Sequence, residues 1–320
     1  MHLDSEKNIL GNHHAHDHAS GEECVHGCHH HDHHDHCDHH HGDHSHSYDY
    51  APGPLEGKTG ILLTAFGCAL PDTHYLYDRF EDEVRERYPD MDVRWAFTAN
   101  RIRRKLSSRG IPAFSVAEAL SQMIDDGFSH VAVQSLHTLP GVEYDWVEQQ
   151  ARSMCHPRKG LSRVTLGAPM LNKMEDLDHT VQAVSGYLPP DRKEDEGVIL
   201  IGHGTYHKGH TAYMALEGLL SRSLPNVLVG TLMDKSGPAE LGSHFLDRGI
   251  SKIHLVPFMC VPGHHVQVDL FGEGEKSWKS ILSGMGCEVL PVFKGSLEHK
   301  DFRNIWHDHL AEAVAELKVD

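Results

Sequence analysis

From about residue 60 onward, short, mainly apolar runs alternate with longer stretches whose apolar positions recur at helical spacing. The runs at 60–66, 93–98, 130–136 and 164–166 predict buried strands, because short stretches rich in β-type hydrophobes and bounded by Gly or polar loops suit strands covered on both faces. Residues 72–88 place Tyr75, Phe80, Val84 and Tyr88 on one helical face, and Pro89 stops them. Helical spacing also predicts helices at 116–124, 144–155 and 175–187, with a basic turn or helix at 101–106. The same grammar then runs a second time. Strands are predicted at 197–202, 227–232, 252–258 and 288–293, with helices at 211–220, 239–247, 278–282 and through Leu317. Strands that alternate with helices predict an α/β fold with parallel sheets flanked by helices.

The two passes match in detail. GILLTAFGC at 60–68 aligns with GVILIGHGT at 197–205, and QSLHTLPGVE at 134–143 aligns with VPFMCVPGHH at 256–265. The second alignment sets Glu143 opposite His265 and Val142 opposite His264. This predicts an internal duplication: an N-terminal α/β half over 58–190 and a C-terminal α/β half over 191–320, facing one another across a cleft.

Composition separates off the first 54 residues. They hold one Lys and ten Asp or Glu, and 17 of the chain's 32 histidines precede residue 47. So little apolar surface cannot offset the entropy of ordering, and disorder without a ligand is expected here. Imidazoles, carboxylates and the thiols of Cys24, Cys28 and Cys37 suit borderline divalent ions such as zinc, nickel and cobalt, so the leader reads as a loose, multi-ion binding tract. Ala51-Pro-Gly-Pro54 marks its boundary. The net charge of −17 argues against a nucleic-acid partner. No apolar run reaches the roughly 20 residues of a membrane span. The N-terminus has neither the basic nor the apolar region of a secretory signal, and the seven cysteines show no disulfide framework. A cytoplasmic location is expected.

The candidate chemistry lies at strand ends, where open α/β sheets place their ligands. Three such ends converge on the cleft. They offer His203, His265 with its neighbour His264, and His137 with Glu143. Two imidazoles and a carboxylate make an open coordination set for a divalent first-row metal; the carboxylate could instead serve as a base. His207 and His210 read as surface helix residues, and Cys68 and Cys260 as core or near-core. No G-x-G-x-x-G, Walker-type loop or G-x-S-x-G elbow occurs where one would bind a nucleotide or carry a nucleophile.

Four stretches in order, AFTANRIRRKL (96–106), VQSLHTLPGVEYD (133–145), IGHGTYHKGHTAY (201–213) and PFMCVPGHHVQVDL (257–270) with SWK at 277–279, resemble the cobalt chelatases of anaerobic cobalamin synthesis. The resemblance covers about residues 58–318. It implies a class II chelatase that needs no ATP and inserts Co²⁺ into sirohydrochlorin at a cleft between two similar halves. It implies that His203 and His265 hold the substrate metal and that Glu143 is the family's glutamate; His137 and His264 are further candidate binding residues beside them, and His264 could add a ligand. The family usually carries Gly-Asp-His where this chain has Gly263-His264-His265, and its basic pattern lacks the His-rich leader. Arg101, Arg103, Arg104 and Lys105 are the nearest cations for substrate carboxylates. The partners implied are the tetrapyrrole, divalent metal ions and other copies of the chain in a homo-oligomer. Ligand chemistry leaves open a chelatase for nickel or iron, or a metal storage and delivery protein.

Overall fold

A computed structural model describes residues 57–156, 158–234 and 237–318; the readings made on the leader lie outside the described residues. Two four-stranded parallel sheets carry the fold. The first contains β1 (Lys58–Ala65), β2 (Asp92–Phe97), β3 (Phe128–Ser135) and β4 (Arg163–Gly167), in the order β2-β1-β3-β4. The second contains β5 (Gly197–Gly202), β6 (Val227–Thr231), β7 (Lys252–Pro257) and β8 (Glu288–Pro291), in the order β6-β5-β7-β8. The duplication extends to register. Gly60 pairs with Val131 in the first sheet, and Gly197 with Ile253 in the second, which is the correspondence the sequence alignment predicts.

Each central strand splits its apolar side chains between two faces, as the twofold period of a strand requires. Ile61 and Leu63, like Val198 and Leu200, enter one large core shared by both halves. Leu62 faces a separate outer core, and Ile199 and Ile201 face another. The helices α3 (Val116–Asp125) and α4 (Val142–Ser153) cover the outer face of the first sheet. The helices α7 (Gly237–Leu246) and α8 (Trp278–Gly284) cover that of the second. The shared core holds α1 (His74–Arg87), α5 (Met174–Tyr187), α6 (Thr211–Ser223) and α9 (Lys300–Leu317).

A cut at residue 190 separates the sheets but not their helices. The last helix, α9, packs on β3 and β4 of the first sheet, while α5 lies against α6. Long-range hydrogen bonds fix the exchange. The Thr165 hydroxyl donates to the Ala313 carbonyl at 2.8 Å, His309 Nε2 stands 2.9 Å from Asp176 Oδ1, and the Tyr187 hydroxyl donates to the Pro257 carbonyl at 2.9 Å. Buried polar groups that meet partners in this way specify one packing, because leaving any of them unpaired would be costly.

Candidate metal and substrate site

The loops after β1, β3, β5 and β7 come together at the C-terminal ends of the strands. Phe66, just past β1, lies with its ring 6.3 Å from that of His203, just past β5. A Cβ on Gly263, past β7, would stand 3.4 Å from Cys68 Sγ. A Cβ on Gly141, past β3, would stand 3.8 Å from a methyl of Thr205.

The glycines on either side of His203 explain its placement. Gly204 has φ +83°, a conformation that favours glycine, and a Cβ there would meet Thr231 and Met233 at 2.8 Å. A Cβ on Gly202 would run into the Tyr213 ring at 2.4 Å. The chain can therefore turn sharply between β5 and α6 and leave the imidazole exposed. His203 Nδ1 is 3.1 Å from the Gly204 carbonyl, so a proton on Nδ1 is held there and Nε2 keeps its lone pair.

His265 is placed differently. After Pro262-Gly263 the chain enters a helical turn that widens into a π-helical segment, Val266–Leu270, in which the Phe271 N–H reaches the Val266 carbonyl at 3.1 Å. Such segments are rare and occur frequently at functional sites. The widened turn sets Asp269 below His265, with Oδ2 2.6 Å from Nδ1. A carboxylate on Nδ1 fixes the tautomer and makes Nε2 a better ligand. The rings of His203 and His265 stand edge to face, with centroids 5.1 Å apart and planes at 77°. The pair therefore presents two Nε2 lone pairs at one exposed place. Each imidazole is oriented by its own Nδ1 contact.

The remaining candidates are placed less uniformly. His264 is exposed, with its ring 6.4 Å from that of His265. Glu143 lies in the first turn of α4, partly buried, in the loop region that meets Thr205. Among the described residues, no group of three or more His, Cys, Asp or Glu stands close enough to hold an ion, so Glu143 is not assembled with the two histidines as a third ligand. His137 differs most from the exposed pair. It is buried, with Nδ1 2.8 Å from the Ser135 hydroxyl and Nε2 3.4 Å from that of Thr98. Burial pushes its pKa down to about 4, so it is neutral.

The basic stretch divides on α2 (Asn100–Ser107): Arg103 is consumed by the Phe97 and Thr98 carbonyls, while Arg101 and Arg104 make no such contacts among the described residues. Asp269 stands outside the strand-end pattern, although its i,i+4 spacing from His265 is a usable signal. His207 is expected on the surface of a helix. His207 instead caps the 3-10 turn Lys208–His210 and reaches the opposite half.

Residues 59–315 match the family model described as "Cobalt chelatase (CbiK)". This chain belongs to the cobalt chelatase family. It is 38% identical over 264 residues to the sirohydrochlorin cobaltochelatase CbiKC of Nitratidesulfovibrio vulgaris, an alignment that spans 81% of this chain and 92% of the relative. It is 30% identical over 259 residues to the sirohydrochlorin cobaltochelatase of Salmonella typhimurium, spanning 80% and 97%. Among solved structures, the fold is shared with SirB from Bacillus subtilis with Fe³⁺, at a TM-score of 0.57 and 17% identity over 82% of this chain and 99% of that one. It is shared also with the cobalt complex of the sirohydrochlorin chelatase SirB from Bacillus subtilis subspecies spizizenii, at a TM-score of 0.56 and 16% identity over 81% and 96%. The duplicated α/β frame of this cobalt chelatase family member is thus that of known chelatases.

Proposed function

We propose that this chain inserts Co²⁺ into sirohydrochlorin without ATP, as a step of anaerobic cobalamin synthesis. The observation that carries the reading is the exposed His203–His265 pair, with both Nδ1 atoms engaged and both Nε2 atoms free, in a chain whose relatives are cobaltochelatases. Two neutral imidazoles bind a first-row divalent ion firmly enough to collect it and leave coordination positions open. Four preorganised ring nitrogens then outcompete them, so the ion moves from protein to macrocycle. The ring loses two N–H protons as the metal enters. Glu143, in the first turn of α4 on the opposing half, is our proton acceptor and passes the two protons on to solvent one after the other, with Arg101 and Arg104 placed to attract the substrate's carboxylates. The four described cysteines, Cys68, Cys155, Cys260 and Cys287, are free thiols, which suits a reducing cytoplasm as the place of reaction.

The test supplies sirohydrochlorin with Co²⁺, Ni²⁺ or Fe²⁺ in turn, without ATP, and follows the tetrapyrrole absorption spectrum. Cobalt insertion well above the uncatalysed rate, lost in His203→Ala, is expected. Faster insertion of nickel or iron would move the assignment to that metal. Tight ion binding with no acceleration for any of the three would make the chain a metal carrier.

A further inference from the structure

One side chain ties the two halves together at the site without belonging to the metal pair. His207 lies four residues after His203, on the loop that follows β5. Its Nε2 is 3.2 Å from Asp145 Oδ2, and its Nδ1 is 3.1 Å from the Pro140 carbonyl. Both partners belong to the first half: Pro140 precedes α4 and Asp145 lies in its first turn. Glu143 sits between them. The ring is mostly covered, with 20% of its side chain exposed, whereas Asp145 is 55% exposed.

The local chain is built to bring these groups together. The backbone N–H of His207 donates to the Thr205 hydroxyl at 3.1 Å, and the N–H of Gly209 donates to His207 Nδ1 at 3.1 Å. Those contacts aim the imidazole out of its own half. Gly209 itself lies against the other half, for a Cβ there would stand 2.1 Å from the Pro140 carbonyl oxygen. Only glycine lets the two backbones approach so closely. With Nε2 carrying the proton that the carboxylate requires, Nδ1 either accepts from Gly209 or, in the imidazolium, donates to Pro140. Asp145 is engaged in both states.

We infer that His207 is a positioning residue: it clasps the Pro140–Asp145 segment and so sets where Glu143 stands relative to His203. The inference rests on the proposed chelatase reading for its catalytic consequence, but the clasp itself is independent of it. A ring that is to lose protons on one side and receive metal from the other needs that spacing held, and displacements of about 1 Å at a reacting centre can cost up to about 100-fold in rate. Metal affinity should not depend on the clasp, since His203 and His265 both belong to the other half.

The experiment compares the full chain with His207→Ala, His207→Gln, Asp145→Ala and the double variant His207→Ala/Asp145→Ala. Three readouts are taken: steady-state cobalt insertion, Co²⁺ affinity with the metal alone, and amide hydrogen exchange over 139–146 and 204–210. Expected are a fall in kcat of about 10-fold in His207→Ala, no change in Co²⁺ affinity measured with the metal alone, and partial rescue by His207→Gln, whose amide can still donate to Asp145. The double variant should be no worse than His207→Ala, as two partners of one contact behave. Exchange should rise together in both segments in each alanine variant. A kcat within twofold of the parent, or unchanged exchange over 139–146 in His207→Ala, overturns the clasp. If the parent inserts no metal yet exchange still rises in both segments, the clasp stands and the chelatase reading falls.

Discussion

The two halves share a strand order and a register but do opposite things with histidine. In the second half, His203 and His265 stand exposed at the ends of β5 and β7, each with Nε2 free. In the first half, Phe66 takes the place of His203, and the histidine past β3, His137, is buried and neutral between two hydroxyls. A regular α-helix follows β3, and the π-helical segment follows β7. A duplicated frame thus keeps its core and specialises its strand ends. One end set presents two exposed imidazoles, and the other offers an apolar ring and a carboxylate.

The sharpest way to break this division is to remove one group from each side. His203→Ala should lower Co²⁺ affinity and reduce insertion at limiting cobalt by more than about 100-fold, beyond what the loss of a mere partner of a ligand costs. Glu143→Gln should instead leave cobalt affinity intact and lower kcat by about 100-fold, the lower range for a lost acid–base group. Isothermal titration with the metal alone, set beside the insertion rate, separates the two. Equal loss of metal binding in both variants would merge the roles.

The buried histidine of the first half has a pH signature. Its folded pKa of about 4 lies below the ordinary value near 6.5, so below that value the unfolded chain takes up a proton that the folded chain refuses. Its contribution is intact above about pH 6.5 and is lost progressively as the pH falls towards about 4, amounting to about 3 kcal/mol. Thermal melts from pH 7 to 4 should show this slope, and His137→Gln should flatten it, with its loss of stability largest at pH 7 and shrinking towards pH 4.

Smaller effects sharpen the other side. Asp269→Asn removes the charge that orients His265 and should weaken Co²⁺ binding by about 10-fold, read by the same titration. Phe66→His gives the first half the residue of the second. It should tighten cobalt binding by about fivefold and slow insertion by a similar factor, because a third imidazole on the ion adds a ligand to be shed. A variant that binds cobalt more tightly and inserts it no more slowly would show that ligand exchange does not limit the rate.

Much of this division is visible in the chain itself, and the limit of that visibility is physical. Strands such as 60–66 and 197–202 declare themselves by unbroken apolar runs, and the L/V-P-G steps past β3 and β7 carry the repeat. His203 is legible because glycines flank it. What a periodicity cannot report is which surface arrives from elsewhere. His137 and His203 both follow a strand, yet α9 and the Thr98 loop cover the first, while the second stays exposed among the described residues. His207 looks like a surface residue until the Pro140 carbonyl, 67 residues distant, is brought to it. The π-helical widening that pairs His265 with Asp269 leaves only a four-residue spacing as its trace.

The exchange of helices between the sheets also governs how the chain can be made. Synthesis delivers β3 and β4 early, but the helix that covers their inner face comes last; Thr165 bonds to a carbonyl 148 residues further on. Until that helix leaves the ribosome, the first sheet shows water the buried side of Ala132 and the unpaired hydroxyl of Thr165. The usual order, in which an N-terminal unit folds before its successor is complete, is therefore closed to this molecule. Its two halves reach the native state together, and a chain that stops before residue 300 leaves the inner face of β3 and β4 without its helix.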